Sequence, residues 1–158
     1  MPAGDFGDEA SVEVTAPPDA VWALVGDPLR TPEWSPVCRR VEWIAPSTGP
    51  AEGARFRGHN QLRGIRWSRD CQIDEWQPAR TIAFHTEFKG RESTRWRYRL
   101  EPTGTGTRVT ETYRAVFLPR WVWLMRKLPG AAITSARDTE RNLSTSLANL
   151  KRLAEASG

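Results

Sequence analysis

The chain has 158 residues, a formal net charge of +4, two cysteines and eight tryptophans. That length suits one hydrophobic core, and no segment approaches the roughly 20 apolar residues that a membrane span needs. Two unpatterned thiols exclude a disulfide scaffold or zinc module, and the polar start MPAGDFGDEA lacks a secretion signal; a cytoplasmic protein with Cys38 and Cys71 free and buried is expected.

In chain order, SVEVTA alternates Val12 and Val14 with polar neighbours, the period of a half-buried strand. PPDAVWALVGDP follows, with proline at a helix start, Asp19 in the first turn, Val21, Leu24 and Val25 at helical spacing, and Gly26 as the stop. A second short helical turn is predicted at TPEW, capped by Thr31 with Pro32 first. Six strands come next: CRRVEWIA, ARFRGHNQL, IRWSRDCQIDEW, RTIAFHTEF, STRWRYRLE and TRVTETYRAVF. Turn-rich clusters separate them at spacings that predict consecutive antiparallel hairpins.

The last element is a helix over 131–156, where Ala132, Ala136, Leu143, Leu147, Leu150 and Ala154 recur at steps of three or four. About 25 residues at 1.5 Å each reach roughly 37 Å, enough to cross a sheet. Its inward stripe is small or polar at Ala132, Ala136, Thr139 and Glu140 and leucine afterwards, so the first half leaves space and the second half fills it. One domain over 1–158 is expected, loose over its first ten and last few residues.

Successive side chains of a strand point to opposite faces. STRWRYRLE therefore sets Trp96, Tyr98 and Leu100 against Arg95, Arg97 and Arg99, and ARFRGHNQL sets Phe56, Gly58, Asn60 and Leu62 against Arg55, Arg57, His59 and Gln61. Ile82, Phe84, Thr86 and Phe88 share a face, as do Trp67, Arg69, Cys71 and Ile73, and Val109, Glu111, Tyr113, Ala115 and Phe117. With the apolar sets inward, Asn60, Arg69, Tyr98, Glu111 and Tyr113 become polar groups in an aromatic chamber. The simplest assembly is α+β: a curved seven-stranded antiparallel sheet wrapped around the long helix, with two short helices after the first strand.

The opening VTAPPDAVWALVGDPLRTPEWSPVCRRVEW, the middle GARFRGHN, the stretch WRYRLEPTGTGTRVTE and the long final helix resemble the SRPBCC superfamily. That group includes START-like, birch-pollen-allergen-like and polyketide cyclase/dehydrase-like proteins. The resemblance spans almost the full chain; it is specific for fold and weak for activity. It implies a helix-grip fold whose cavity, between sheet and long helix, binds a hydrophobic or aromatic small molecule, lipid- or polyketide-like. It also implies that Trp34 borders the cavity, and that in cyclase members polar cavity residues guide ring closure or dehydration.

His59 and His85 face outward without a partner at ligand spacing, and GTGTG lies between two strands, where it reads as a hairpin turn rather than a phosphate cradle. No metal or other cofactor is expected. The expected ligand wall comprises Phe56, Asn60, Trp67, Phe84, Trp96, Tyr98 and Tyr113 from the sheet, with Trp34, Ala136 and Glu140 around it; plain aromatic core is the competing reading of the rings. Glu111 and Arg69 are the candidate catalytic residues. They read either as a buried ion pair or as groups that orient a ligand, and Glu111 with Arg69 or a tyrosine would supply acid/base chemistry to a cyclase, aromatase or dehydratase. A carrier or sensor needs only the cavity.

FLPRWVWLMRKLPG, set off by prolines, joins the last strand to the long helix. The resemblance puts it at the cavity mouth, where Trp121, Leu124 and Met125 are expected to close the entrance; a plain hydrophobic cap and a membrane-touching tip through 119–128 are the alternatives. Arg55, Arg57, Arg95, Arg97, Arg99 and Arg114 make a basic outer face. Its aromatics alternate to the other side instead of interleaving for base stacking, so a solvated face is expected and nucleic acid is not. The chain is expected as a monomer or homodimer.

Overall fold

Seven strands pair antiparallel in the order β1-β7-β6-β5-β4-β3-β2, where β1 is Gly7–Val14, β2 Cys38–Trp43, β3 Arg55–Leu62, β4 Ile65–Gln77, β5 Thr81–Phe88, β6 Arg91–Pro102 and β7 Thr107–Ala115. The structure, a computed structural model, describes residues 7–117, 120–125 and 136–157, with side chains for all of these except 122, 123, 125 and 136–141. Every strand from β2 to β7 joins its neighbour in sequence, as the turn spacing predicts, and only β1 reaches across to β7. Residues 7–10, expected to be loose, are in register with β7 from Gly7↔Arg114 to Ala10↔Glu111. Pairing with the last strand outweighs their polar composition.

Register shifts interrupt the ladders between Ile73 and Glu75 on β4 and between Thr86 and Glu87 on β5. Bulges of this kind bend a strand and increase its twist, which curves the sheet. Helix α1 (Pro18–Val25) starts on proline, buries Val21, Leu24 and Val25, and stops at Gly26, whose N–H donates to Trp22 O at 2.8 Å. Trp76 pins this end to β4 by donating from Nε1 to Gly26 O at 2.9 Å. The second short helix starts earlier than TPEW predicts: it is a 3₁₀ turn over Pro28–Glu33, and Asp27 rather than Thr31 caps it, accepting from Leu29 N at 3.0 Å. The Asp27 carboxylate is the acceptor at the turn's true start, and Pro28 suits the opening position.

After α2 (Arg120–Met125), helix α3 (Ala136–Ala156) lies across the concave side of the sheet. Leu143, Leu147, Leu150 and Ala154 are buried in the core together with Val14, Ile73, Ile82, Leu100 and Val109. Three polar contacts fix its register: Thr15 N–H donates to Glu155 Oε1 at 2.9 Å, Lys151 Nζ to Glu13 O at 2.8 Å, and Asn149 Nδ2 to Trp34 O at 3.1 Å. At the β6–β7 turn, Gly106 approaches β1 so closely that a Cβ there would lie 2.1 Å from Val14 O. This is the helix-grip architecture, and its core sits under the second half of α3. Among the described residues no helix is long and apolar enough to cross a membrane.

Candidate functional site

The concave face of the sheet carries a continuous row of aromatic rings. Trp43 on β2 meets Phe56 on β3 with centroids 6.1 Å apart, and Phe56 meets Phe84 on β5 at 5.4 Å. Phe84 stacks with Trp96 on β6 at 6.4 Å, and Trp96 contacts Tyr113 on β7 at 4.8 Å. Strand register places them together: Phe84 pairs with Trp96 and Trp96 with Tyr113 across adjacent ladders. Phe56 is buried, whereas Trp43, Phe84, Trp96 and Tyr113 are only half-buried. Trp96 satisfies its indole N–H on Thr94 Oγ1 at 3.1 Å, which leaves the ring faces apolar.

One same-face step further along β6 and β7 lies the buried polar pair. Tyr98 and Glu111 are directly opposite each other, and Tyr98 donates its hydroxyl hydrogen to Glu111 Oε1. Glu111 is 1% exposed, and its Oε2 has no hydrogen-bond partner among the described residues. Burial pushes the Glu111 carboxyl up to about 8, and the Tyr98 hydrogen bond only partly opposes this. Burial first, then the adjacent carboxylate, hold the Tyr98 phenol well above its ordinary value. The pair is therefore a neutral acid and a neutral phenol at neutral pH.

Trp34 closes this end. Its ring stands edge-on to Tyr98 at 5.4 Å and 82°, it is 3% exposed, and its Nε1 is also without a partner among the described residues. Two buried, unpartnered polar atoms thus flank Tyr98 where the aromatic row ends. Unmet groups of this kind cost free energy unless a ligand or water meets them.

Several sequence expectations need correction. Arg69 lies on β4, with β5 and β6 between it and β7, so it forms no ion pair with Glu111. Its guanidinium sits over the Phe88 ring at 4.9 Å and donates to Ser68 O at 2.9 Å, and partial burial lowers its pKa. The tyrosine alternative is the one the geometry brings together. Trp121 is 61% exposed and Leu124 64% exposed, so one side of α2 is turned to solvent. Asn60 and Trp67 face each other across β3 and β4, half-buried near the hairpin and apart from the aromatic row. The side chains of Met125, Ala136 and Glu140 lie outside the described residues, as do residues 118–119 and 126–135.

Trp43 belongs to the aromatic row although the sequence expectations do not include it; its signal is the alternation of Val41 and Trp43 in CRRVEW, which points both to the chamber side. The outer arginines are largely charge-paired: Arg55 with Glu87 at 2.8 Å, Arg57 with Asp70 at 2.6 Å, Arg97 with Glu75 at 3.0 Å, Arg99 with Glu101 at 3.0 Å, and Arg95 with Glu92. Burial pushes Cys38 up to about 11 and Cys71 up to about 12, so neither thiol offers a nucleophile at neutral pH.

Solved structures share this architecture. The Polyketide_cyc-like protein Cgl2372 from Corynebacterium glutamicum is 27% identical, with a TM-score of 0.60 over 98% of this chain and 94% of that one. TTHA0849 from Thermus thermophilus is 20% identical, with a TM-score of 0.69 over 96% and 99%. CV1439 from Chromobacterium violaceum is 16% identical, with a TM-score of 0.69 over 94% and 97%. No curated protein matches the sequence. A family model matches residues 9–155, and the chain belongs to that family, described as polyketide cyclase / dehydrase and lipid transport.

Proposed function

We propose that the protein binds a hydrophobic or aromatic small molecule between its sheet and α3, as a carrier or sensor. The observation that carries this reading is the row of five rings from Trp43 to Tyr113, four of them half-buried on the concave face. A plain core would bury such rings fully; half-buried ring faces beside a neutral polar pair suit a ligand with an apolar body and a polar end. The family description, which joins cyclisation, dehydration and lipid transport, is consistent with a ligand of this class.

The test is a titration with a neutral tricyclic aromatic and with a long-chain alcohol, followed by intrinsic tryptophan fluorescence. Saturable quenching by one of them, weakened at least about fivefold in Trp96→Ala, is expected from the size of a lost ring contact. Absence of saturable binding by both would count against the reading.

An enzymatic reading has one specific observation in its favour. Glu111 holds a proton near neutral pH, and its Oε2 has no partner among the described residues. Such a carboxyl gives its proton to a departing hydroxyl, which leaves as water, and the carboxylate takes a proton back from the adjacent carbon as the double bond forms. Tyr98 would be the positioning residue. Here Glu111→Gln should abolish turnover of a verified substrate while leaving its binding within about threefold; full turnover in that variant would remove Glu111 from the chemistry.

A further inference from the structure

One end of the sheet gathers exposed basic side chains. β3 turns into β4 through Arg63 and Gly64, and β5 into β6 through Lys89 and Gly90, with φ values of 51°, 79°, 52° and 74°. Two-residue hairpin turns with both φ positive are the ones Asn and Gly enter most easily, yet each of these opens on a basic residue. Arg66 and Arg91 lie just beyond the two glycines, and all four basic side chains are exposed. β7 leaves the sheet at the same end, where Val116 and Phe117 N–H groups both donate to Ser93 O, and α2 follows with Arg120 exposed. On β3 to β6 the acids at this end, Asp70, Glu87 and Glu92, are engaged by Arg57, Arg55 and Arg95, and the start of β1 adds Asp8 and Glu9 opposite Tyr113 and Thr112. Among the described residues, Arg66, Lys89, Arg91 and Arg120 leave this end with an excess of positive charge.

The same end carries three of the four large hydrophobic side chains that are exposed among the described residues. Ile65 at the β3–β4 tip is 49% exposed, Trp121 61% and Leu124 64%; the fourth is Leu29 at 42%. Trp121 and Leu124, three residues apart, share one side of α2. β4 is in register with β5 from Asp70 onward, so the tip at Ile65 extends roughly 13 Å past the Phe88 level at about 3.3 Å per residue. β4 and β7 are three strand spacings apart, about 14 Å. These apolar tips are too far apart for one small ligand, and only an extended partner reaches both.

We propose that this end docks on an anionic lipid bilayer. Trp121, Leu124 and Ile65 enter the headgroup boundary, where an indole and aliphatic tips are favoured. Lys89, Arg91, Arg66 and Arg120 meet lipid phosphates, the attraction that anionic surfaces exert on clustered basic residues. A polyanion in solution would satisfy the charges but leave the apolar tips unused. The last turn of α3 is bonded to Glu13 and Thr15 at the opposite end of the molecule, so α3 begins toward the docking end. Docking does not depend on what the chamber holds.

The test is flotation with vesicles of phosphatidylcholine, with and without one third phosphatidylglycerol, at low and high salt. The protein floats with the anionic vesicles at low salt and is released by high salt. Trp121→Ser with Leu124→Ser weakens that association at least about tenfold, and Lys89→Asn with Arg66→Gln weakens it by roughly fivefold for each charge removed. Asn suits the positive φ of residue 89, and the remaining sites are exposed, so unchanged circular dichroism and melting accompany these losses. Leu29→Ser, away from this end, keeps full association. The proposal is overturned if the anionic vesicles fail to float the protein, or if the Trp121/Leu124 variant floats as well as the parent. It is equally overturned if heparin binds as tightly as the vesicles and the apolar variant binds both undiminished, the signature of a polyanion site.

Discussion

Tyr98 and Glu111 face each other across the β6–β7 ladder, the phenol donating to one carboxyl oxygen while the other is buried without a partner among the described residues. The buried carboxyl titrates near 8 against an ordinary value of 4.5. Below about pH 4.5 it is neutral in both folded and unfolded chains. Above that the unfolded chain ionises and the folded one does not, so this group's contribution to stability falls as pH rises toward about 8, by several kcal/mol in order of magnitude. Glu111→Gln removes the titration and keeps an acceptor for Tyr98. Urea denaturation from about pH 5 to about pH 8 should show the parent losing stability relative to the variant; parallel curves would contradict the neutral-acid assignment.

Tyr98→Phe removes the hydroxyl that meets Glu111 Oε1 and leaves both carboxyl oxygens unmet among the described residues. The expected loss is about 1–3 kcal/mol, the cost of an unsatisfied buried polar group. Because the Tyr98 hydrogen bond lowers the Glu111 pKa, its loss should raise that pKa further. Carboxyl infrared absorption followed through a pH titration reads this shift, which loss of ring packing alone would not produce.

Leu147 is 2% exposed in the main core beneath α3. Leu147→Ala should cost about 2–5 kcal/mol, the range for a buried leucine truncated in a packed interior. With the ligand proposed to lie toward the other half of the helix, affinity of the folded fraction should change by less than about threefold. Denaturant melts and a binding titration on the same sample separate the two effects.

On the outer face, Arg97→Ala breaks an ion pair with Glu75 that is 47% exposed on the arginine side. Pairs of this kind contribute about 0–1 kcal/mol, so melting should barely move. Single-stranded DNA should bind neither form at physiological salt, since the arginines are largely paired and the rings lie on the opposite face; salt-sensitive binding that falls on this substitution would contradict the solvated-face account.

The strands were legible from turn spacing and from the clean alternation of STRWRYRLE and ARFRGHNQL, and alternation along β3, β5, β6 and β7 also assigned Phe56, Phe84, Trp96, Tyr98, Glu111 and Tyr113 to one face. What alternation cannot supply is the distance between strands. Arg69 and Glu111 share a face yet sit on β4 and β7, and only the sheet order separates them. Trp34 presents the same difficulty: it follows a 3₁₀ turn with no periodicity, and its edge contact with Tyr98 is a product of folding. Trp121 and Leu124 lie in an apolar run that reads equally as cover or as exposed tip, because hydrophobicity reports an affinity and not its direction.

Native mass spectrometry of gently purified protein, beside a folded Ala136→Trp variant, reads whether a small molecule occupies the space between sheet and α3. Ala136 is the first residue of α3, at the end of the helix that the leucines do not fill. A bound apolar or aromatic molecule in the parent, absent from the variant, is the predicted result. The same adduct retained in the folded variant would contradict the placement, and empty parent protein that also fails to take up either test ligand would contradict small-molecule binding itself.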